Sequence, residues 1–221
     1  MLNFGEILIL FFSPPSSKAL SLTKNVKDFI GDKKKVIFSF CAGISLENLQ
    51  NNFSKNQYWI KAISNVNIET NNGYIAVYKP ENNNKELDDL IKFSIKLLQG
   101  VGKLNQVDSE NMCDIVSTSS GALPAFINVI IDGCIDGCIY GGISKEMARE
   151  LVLDVFIGTA SNLLESKTPT SNLKQTVTSP SGVVIKGIKE FEKYAPRAAM
   201  IDGISTVYDA INKMKPNTKA K

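Results

Sequence analysis

Four cysteines, Cys41, Cys113, Cys134 and Cys138, supply the thiols of this sequence, and a thiol can act as a nucleophile, a redox group or a metal ligand. They are too few for a disulfide scaffold, and no pair has the C-x-x-C spacing of a zinc site. Cys134 and Cys138 are four residues apart, so they share one face if this segment is helical. We therefore expect packed, reduced thiols rather than a metal pair, and a cytoplasmic protein.

Histidine is absent from all 221 residues. Its absence excludes Ser-His-Asp and Cys-His catalysis, H-E-x-x-H zinc sites and histidine pH switches. The net charge of +3, from 25 Lys and Arg against 22 Asp and Glu, is too balanced to favour nucleic acid or a membrane surface as a partner. With 43% hydrophobic residues, the chain can bury the core of one large domain or two small ones.

The first 108 residues alternate between short apolar runs and helical patterns, and these elements must position any site. Strands are predicted over 7–12, 36–40, 58–63, 74–78 and 101–107, and longer helices over 16–30 and 85–99. Ser45 can cap a further short helix that places Leu46 and Leu49 on one face. This alternation predicts an α/β layer with mainly parallel strand pairing.

After Asp108 the spacing of apolar residues predicts helices alone. They are expected over 109–118, 123–140, 144–165, 170–177, 182–194 and 196–214, followed by a polar tail over 215–221. Ser144 and Pro196 are typical of helix starts. The fold class predicted is α/β plus all-α, with one domain over 1–108 and a helical domain over 109–221.

A row of glycines marks the apolar helix predicted over 123–140. Gly133, Gly137 and Gly141 recur every four residues, although each glycine costs a helix about 1 kcal/mol relative to alanine. The row indicates that another helix approaches closely, either at a dimer interface or around a buried helix of a monomer. The segment 122–143 is also long enough to span a bilayer, but Asp132 and Asp136 would be costly there, so no membrane partner is expected.

Several blocks of the sequence resemble the pyrroline-5-carboxylate reductases, in the same order along the chain. Residues 177–184 read V-T-S-P-S-G-V-V and are similar to the family signature V-T-S-P-G-G-T-T. Residues 120–126, S-G-A-L-P-A-F, resemble S-G-S-G-P-A-Y. In the first half, residues 39–46 resemble S-I-A-A-G-V-S-L, and residues 61–67 occupy the place of R-V-M-P-N-T-P.

The resemblance implies an oxidoreductase of proline biosynthesis that reduces 1-pyrroline-5-carboxylate to proline with NADPH or NADH. It implies a partial, Rossmann-like NAD(P)-binding domain over 1–108 and a helical dimerisation and substrate domain over 109–221. The partners expected are a small-molecule substrate and further copies of the chain, in a homodimer or higher homo-oligomer. Imine reduction needs no histidine, because the cofactor supplies the hydride.

The resemblance also assigns the site residues. Substrate contacts, made largely by main chain, are expected at Val177, Ser179, Pro180, Gly182 and Val183. This turn opens the helix predicted over 182–194, and the N–H groups at a helix start suit a carboxylate. Cofactor contacts are expected at Pro14, Ala42, Gly43 and Asn65, Ser120 is retained from its block, and no metal is expected.

Several positions depart from the family pattern. Val184 replaces a threonine whose hydroxyl the family places near the substrate nitrogen, and valine can neither donate nor accept a hydrogen bond. Ser181 replaces a glycine of the substrate turn. Four further replacements are Ala122 and Leu123 for serine and glycine, Ser13 for lysine, and Ser64 for proline.

No G-x-G-x-x-G turn occurs in the sequence. Family members begin with a strand, this turn and a helix, which cradle the cofactor pyrophosphate, whereas this chain begins near their fourth strand. The apolar run 7–12 would then have an unpaired edge that favours association. Either the start is incomplete, or another chain covers that edge, or the domain is compromised.

Two functional hypotheses follow from these departures. One is an active reductase; the other is a non-catalytic relative that acts as a dimerisation partner or regulatory subunit, pairing with itself or with a full-length paralogue. The residue that selects between NADPH and NADH follows the family's second strand, so both cofactors stay open.

Overall fold

A computed structural model describes residues 8–51, 53–54, 56–81 and 85–214. The expectations for residue 7, the turn 82–84 and the tail 215–221 lie outside the described residues. The chain divides into two compact units, the first comprising Met1–Ala122 with Ile204–Lys221 and the second comprising Leu123–Gly203. A domain boundary at residue 108 stays a prediction.

The described part of the first unit contains a five-stranded sheet in the order β1-β2-β3-β4-β5. The strands are β1 (Leu8–Phe12), β2 (Lys35–Ser39), β3 (Gln57–Ile63), β4 (Gly73–Tyr78) and β5 (Gly102–Gln106). Three of the four pairs are parallel, as the alternating pattern predicts, and β3–β4 is antiparallel. The link between β3 and β4 holds only the short 3-10 turn Val66–Thr70, which is too short for a parallel crossover. Among the described strands, β1 lies at an edge and pairs with β2 alone.

Hydrophobic clusters on the two faces of the sheet explain its long apolar runs, because a parallel sheet is covered on both sides. On one face Val36, Phe38 and Ile60 pack against Leu90 and Ile91. On the other face Ile37 and Trp59 pack within a second cluster, whose further members include Phe12, Ala19, Ile30, Leu46 and Leu49. Successive side chains along one strand therefore pack on opposite faces of the sheet.

The helices reproduce most of the sequence pattern. They are α1 (Ser16–Ile30), α2 (Leu46–Gln50), α3 (Asp88–Gln99), α4 (Glu110–Tyr140), α5 (Lys145–Ser166), α6 (Thr170–Thr176), α7 (Val183–Glu192) and α8 (Pro196–Met214), with a 3-10 turn at Lys85–Leu87. The Ser45 hydroxyl caps α2 by accepting from the Asn48 N–H at 3.2 Å. The Ser144 hydroxyl caps α5 by accepting from the Met147 N–H at 3.3 Å.

The prediction of separate helices over 109–118 and 123–140 is wrong, because α4 runs without interruption through 31 residues. Pro124 lies inside it. Proline has no N–H, so the carbonyl four residues earlier, that of Ser120, receives no helical hydrogen bond. The Asn65 side-chain amide donates to this carbonyl at 3.2 Å instead. A tertiary contact thus supplies a partner that the local sequence lacks.

The second unit exposes most of its apolar side chains in the single chain. Within Leu123–Gly203, only Ala148 and Val152 are buried hydrophobic residues. A Cβ added at Gly133 or Gly137 would meet no atom within 4 Å. Among the described residues of the single chain this glycine face is therefore not covered, in contrast to the alternative of a buried helix in a monomer. By length and composition α4 is also the one described helix that could cross a membrane, although Asp132 and Asp136 oppose that reading.

Candidate functional site

The residues predicted to contact the cofactor lie along one edge of the sheet. Pro14 follows β1, Ala42 and Gly43 follow β2, and Asn65 follows β3. These three strands are parallel neighbours, so their carboxyl ends meet at the same edge. Open α/β sheets bind ligands at this edge. The structure therefore brings these four residues together along one edge, while their contact with a cofactor stays a prediction.

The loop between β2 and α2 has a backbone shape that depends on glycine. Gly43 has φ of 73°, in the left-handed region that residues with a Cβ rarely adopt. One residue before Ala42, the Cys41 thiol lies 3.9 Å from the Phe12 carbonyl and 3.8 Å from the Pro14 carbonyl. These contacts connect the loop to the end of β1.

A buried ion cluster lies beneath this loop. Lys61, in the middle of β3, has a side chain only 1% exposed. Its Nζ lies 2.8 Å from Asp114 Oδ1 and 3.9 Å from Glu110 Oε2. It also donates to the Ile44 carbonyl at 3.1 Å. The charge of Lys61 is thus compensated inside the fold, as a buried charge requires.

Both carboxylates of the cluster also hold the loop backbone. The Gly43 N–H donates to Asp114 Oδ1 at 3.0 Å. The Leu46 N–H, at the start of α2, donates to Glu110 Oε2 at 2.9 Å. Bonds between backbone N–H groups and carboxylates are among the stronger hydrogen bonds in proteins. The first turns of α4 thereby fix the loop that follows β2.

Sequence reasoning missed this cluster, although two signals were available. Lys61 stands in a strand whose other residues are almost all buried, so it needs an acidic partner. Glu110 and Asp114 are four residues apart, which places both carboxylates on one face of α4. What the sequence lacked was the information that this helix face meets β3.

Asn65 connects two elements as well as standing at the predicted cofactor edge. Its Nδ2 donates to the Ser120 carbonyl, and its Oδ1 accepts from the Tyr74 N–H at 3.3 Å. Ser64, its neighbour, has a buried hydroxyl with no hydrogen-bond partner among the described residues. Ser64 stands where the resemblance places a proline, so this hydroxyl is a polar group at the sheet edge that the described protein does not satisfy.

The cysteines do not form a reactive site. All four are free, and burial raises the pKa of Cys41 and raises that of Cys113 from 9.0 to about 11. Buried thiols with raised pKa stay protonated near neutral pH and are poor nucleophiles. Cys134 is exposed and Cys138 is half-buried in the single chain, so the expectation that both thiols are packed is not met within it. Among the described residues, no group of three acidic, cysteine or histidine side chains could hold a metal ion.

The predicted substrate turn lies in the second unit. The Gly182 N–H donates to the Ser179 carbonyl at 3.0 Å, and a Cβ on Gly182 would overlap the Ser179 hydroxyl. Ser181 has φ of 60°, a left-handed conformation that suits the glycine of the family pattern better than serine. The expected contacts Val177, Ser179, Pro180, Gly182 and Val183 thus lie in the short connection from the end of α6 to the first residue of α7.

The start of α7 presents backbone donors and apolar side chains. Gly182 is its N-cap, and α7 has neither a side-chain cap nor an acidic residue in its first turn. Val183 is 82% exposed and Val184 is 45% exposed in the single chain. The first turn of α7 therefore offers N–H groups to an anion, and its side chains carry no hydroxyl. Ser120 belongs to the first unit, where it is buried on α4.

Comparison with known proteins identifies relatives of both the sheet-containing part and the helical part of the chain. The family model for pyrroline-5-carboxylate reductase dimerisation matches residues 110–214. A pyrroline-5-carboxylate reductase of Synechocystis is 30% identical over 207 residues, covering 93% of this chain and 74% of the relative. One of Methanosarcina acetivorans is 30% identical over 200 residues, covering 90% of this chain and 72% of the relative.

Solved structures show the same fold. The crystal structure of Plasmodium falciparum pyrroline carboxylate reductase with NADP bound has a TM-score of 0.81 at 21% identity, covering 96% of this chain and 78% of that one. The chain belongs to the pyrroline-5-carboxylate reductase family. The predicted fold class, a Rossmann-like first part followed by a helical dimerisation domain, is confirmed.

Proposed function

We propose that this chain is a cytoplasmic NAD(P)H-dependent reductase that converts 1-pyrroline-5-carboxylate to L-proline. The observation that carries this proposal is the alignment of Pro14, Ala42, Gly43 and Asn65 along the carboxyl edge of three parallel strands, in a chain of this family. That edge is where an α/β sheet of this kind takes its ligand. Histidine is absent from the sequence, so histidine-dependent hydrolysis is not an alternative.

The residues at this edge fit part of a dinucleotide. Ala42 and Gly43 have small side chains that permit close approach, and the unsatisfied Ser64 hydroxyl can hydrogen-bond to a polar ligand group. When bound, the nicotinamide supplies the hydride for imine reduction. Within the 221 residues, no G-x-G-x-x-G turn is present to bind the pyrophosphate. We assign this edge to the nicotinamide side of the cofactor.

The start of α7 would bind the substrate carboxylate. The backbone donors next to Gly182 lie at the positive end of the helix dipole, which attracts an anion. We assign orientation of the substrate to this turn. The apolar Val183 and Val184 side chains would face the carbon skeleton of the ring rather than its nitrogen.

A second copy of the chain would complete the site. The second unit exposes large apolar side chains that include Val129, Tyr140, Ile157 and Leu164, each more than 60% accessible in the single chain. Burial of such side chains is the main driving force of obligate association. Together with the dimerisation-family match over 110–214, this exposure supports a homodimer or higher homo-oligomer.

A non-catalytic role is the second candidate, and Val184 is the observation that favours it. A valine in the first turn of α7 has no hydroxyl for the substrate nitrogen, and the turn before it contains Ser181 in a glycine-type conformation. In this alternative the helical unit pairs with a full-length paralogue and contributes its α7 turn to a shared site.

Cofactor binding separates the two candidates. NADPH and NADH are titrated against the purified chain by fluorescence or calorimetry, followed by a reductase assay with 1-pyrroline-5-carboxylate. A dissociation constant in the micromolar range, about −8 kcal/mol, together with turnover supports the reductase. No binding up to millimolar cofactor contradicts it. Turnover that arises only after mixing with a full-length reductase would support the second candidate.

Val184→Thr tests the substrate side of the proposal. A hydroxyl at this position should raise kcat by about tenfold, because one added hydrogen bond at the reacting nitrogen is worth about 1–1.5 kcal/mol. Ile185→Thr adds the same group one residue later on α7, at a residue with no assigned substrate contact, and should leave kcat unchanged. If Val184→Thr does not raise kcat in an oligomer that binds cofactor, the substitution that limits catalysis is Leu123 or Ser181 instead.

A further inference from the structure

We infer that Lys61, Asp114 and Glu110 are positioning residues that hold the β2–α2 loop in the shape required for dinucleotide binding. The inference rests on the proposed function, and it deepens it by assigning a role to three residues that lie beneath the cofactor edge. They act through the loop backbone, without contacting the ligand themselves.

The cluster contacts three backbone groups within four consecutive residues. Asp114 Oδ1 accepts from the Gly43 N–H at 3.0 Å, and Glu110 Oε2 accepts from the Leu46 N–H at 2.9 Å. Between them the Ile44 carbonyl accepts from Lys61 Nζ at 3.1 Å. Two donors and one acceptor of the loop are therefore directed towards the protein interior.

The side chains of the two residues at the turn of this loop cannot hold its shape. Ala42 and Gly43 have no polar side chains, so neither can anchor the backbone through its own side chain. Gly43 adopts φ of 73°, and glycine has the largest backbone freedom to lose on ordering. A loop of such residues needs its conformation imposed by neighbouring elements, and here β3 and α4 impose it.

Charge makes the anchor more rigid than neutral hydrogen bonds would. Asp114 Oδ1 is shared by Lys61 Nζ and the Gly43 N–H, and the exposed fractions of the two side chains are 1% for Lys61 and 9% for Asp114. Little water competes with these bonds, so removal of one member leaves a buried charge without its partner. Displacement of the loop would remove one hydrogen bond each from Asp114, Glu110 and Lys61, while the ion pair between Lys61 and Asp114 would stay. Supporting contacts of this kind commonly decide how accurately a binding loop is held.

The variants are chosen to separate charge from geometry. Asp114→Ala removes both the charge and the acceptor, whereas Asp114→Asn keeps an oxygen for the Gly43 N–H and removes only the charge. Glu110→Gln makes the same change at a side chain that is 28% exposed, so this variant should fold even if Asp114→Ala does not. Asp89→Ala, which removes an exposed carboxylate from the first turn of α3, is the matched control.

Two measurements on the full chain are made at a temperature where every compared variant is folded. The first is amide hydrogen exchange at Gly43 and Leu46. Asp114→Ala should accelerate exchange at Gly43 at least tenfold, and Asp114→Asn should accelerate it by a smaller factor. Asp89→Ala should leave exchange at Gly43 unchanged. In all variants the exchange rates of the β2 and β3 amides should stay the same. Glu110→Gln should accelerate exchange at Leu46 more than at Gly43.

The second measurement is the dissociation constant for NADPH. It should rise about tenfold in Asp114→Ala, less in Asp114→Asn and Glu110→Gln, and not at all in Asp89→Ala. Folded variants that bind NADPH as tightly as the unchanged chain would overturn the inference, as would unchanged exchange at Gly43. If the unchanged chain itself binds neither NADPH nor NADH, the proposed function fails, and the positioning role is overturned with it. Failure of the proposed function is thus seen in the unchanged chain, whereas failure of the positioning role alone is seen only in the variants.

Discussion

The two units of this chain differ in how they use their apolar residues. In the first unit, β2 and β3 bury most of their apolar side chains in two hydrophobic clusters on opposite faces of the sheet, and even the charge of Lys61 is paired internally. In the second unit, valines, isoleucines and leucines of α4, α5 and α7 remain exposed in the single chain. The first unit thus has a buried core of its own, whereas the second needs another surface to bury its apolar face.

The same difference separates the two halves of the proposed site. The cofactor edge is held by a buried ion cluster and by the Asn65 amide. The substrate turn consists mostly of exposed residues around Ser181, whose conformation is strained for serine. An exposed turn of this kind gains order when a second copy packs on it. We therefore expect the cofactor side to be preformed and the substrate side to depend on assembly.

The largest effect is expected from the removal of a phenylalanine from the first core. Phe38→Ala should lower the free energy of unfolding by about 3–5 kcal/mol, because Phe38 is fully buried between β1 and α3. Phe191→Ala on α7, where the ring is 56% exposed, should cost no more than about 1 kcal/mol in the single chain. Urea unfolding at low protein concentration measures both, and equal losses would contradict the contrast between the units.

A charge on the exposed face of α4 should act on assembly rather than on folding. Val129→Asp should raise the dimer dissociation constant at least a hundredfold, about 3 kcal/mol, because Val129 is 71% exposed in the single chain and would be buried by a partner. Phe29→Asp makes the same kind of change at a residue of α1 that is 80% exposed, and should leave the dimer intact. Size-exclusion chromatography with light scattering reports both. Dissociation by Phe29→Asp instead would place the interface on the first unit.

A buried thiol of the first unit should make stability depend on alkaline pH. The Cys113 pKa is raised from 9.0 to about 11 by burial, so the unfolded thiol ionises first as the pH rises. The contribution is fully present below pH 9.0, is lost progressively up to about pH 11, and is constant above that. The loss is on the order of 2–3 kcal/mol, since one pKa unit corresponds to about 1.4 kcal/mol.

Substitution of one thiol in each unit tests whether Cys113 causes this loss of stability at alkaline pH. Cys113→Ala should remove the additional fall in unfolding free energy between pH 9.0 and about 11, whereas Cys134→Ala, at an exposed thiol, should retain it. The measurement is urea unfolding at a series of pH values. An unchanged pH dependence in Cys113→Ala would assign the alkaline instability to another group, and Tyr58, with its pKa raised to about 12, is the next candidate.

Local sequence signals were sufficient for most elements but not for the contacts between them. Strand positions, the Ser45 and Ser144 caps and the start of α8 at Pro196 could be predicted because each depends on residues close in sequence. The break expected before Pro124 was wrong. Proline does disrupt the helical bond to Ser120, but Asn65, distant in sequence, replaces it. The antiparallel β3–β4 pair was not anticipated, since strand direction depends on the length and path of the link.

By itself, the sequence determined the family, the succession of strands and helices, and which residues stand at the ends of β1, β2 and β3. These features follow from short-range periodicity and from motifs read in order. Only the tertiary structure decided that Lys61, Glu110 and Asp114 meet beneath Gly43, and that the glycine face of α4 stays uncovered in a single chain. The reason is physical: a buried charge shows that a partner must exist, but only the packing of a helix on a sheet selects which side chain supplies it.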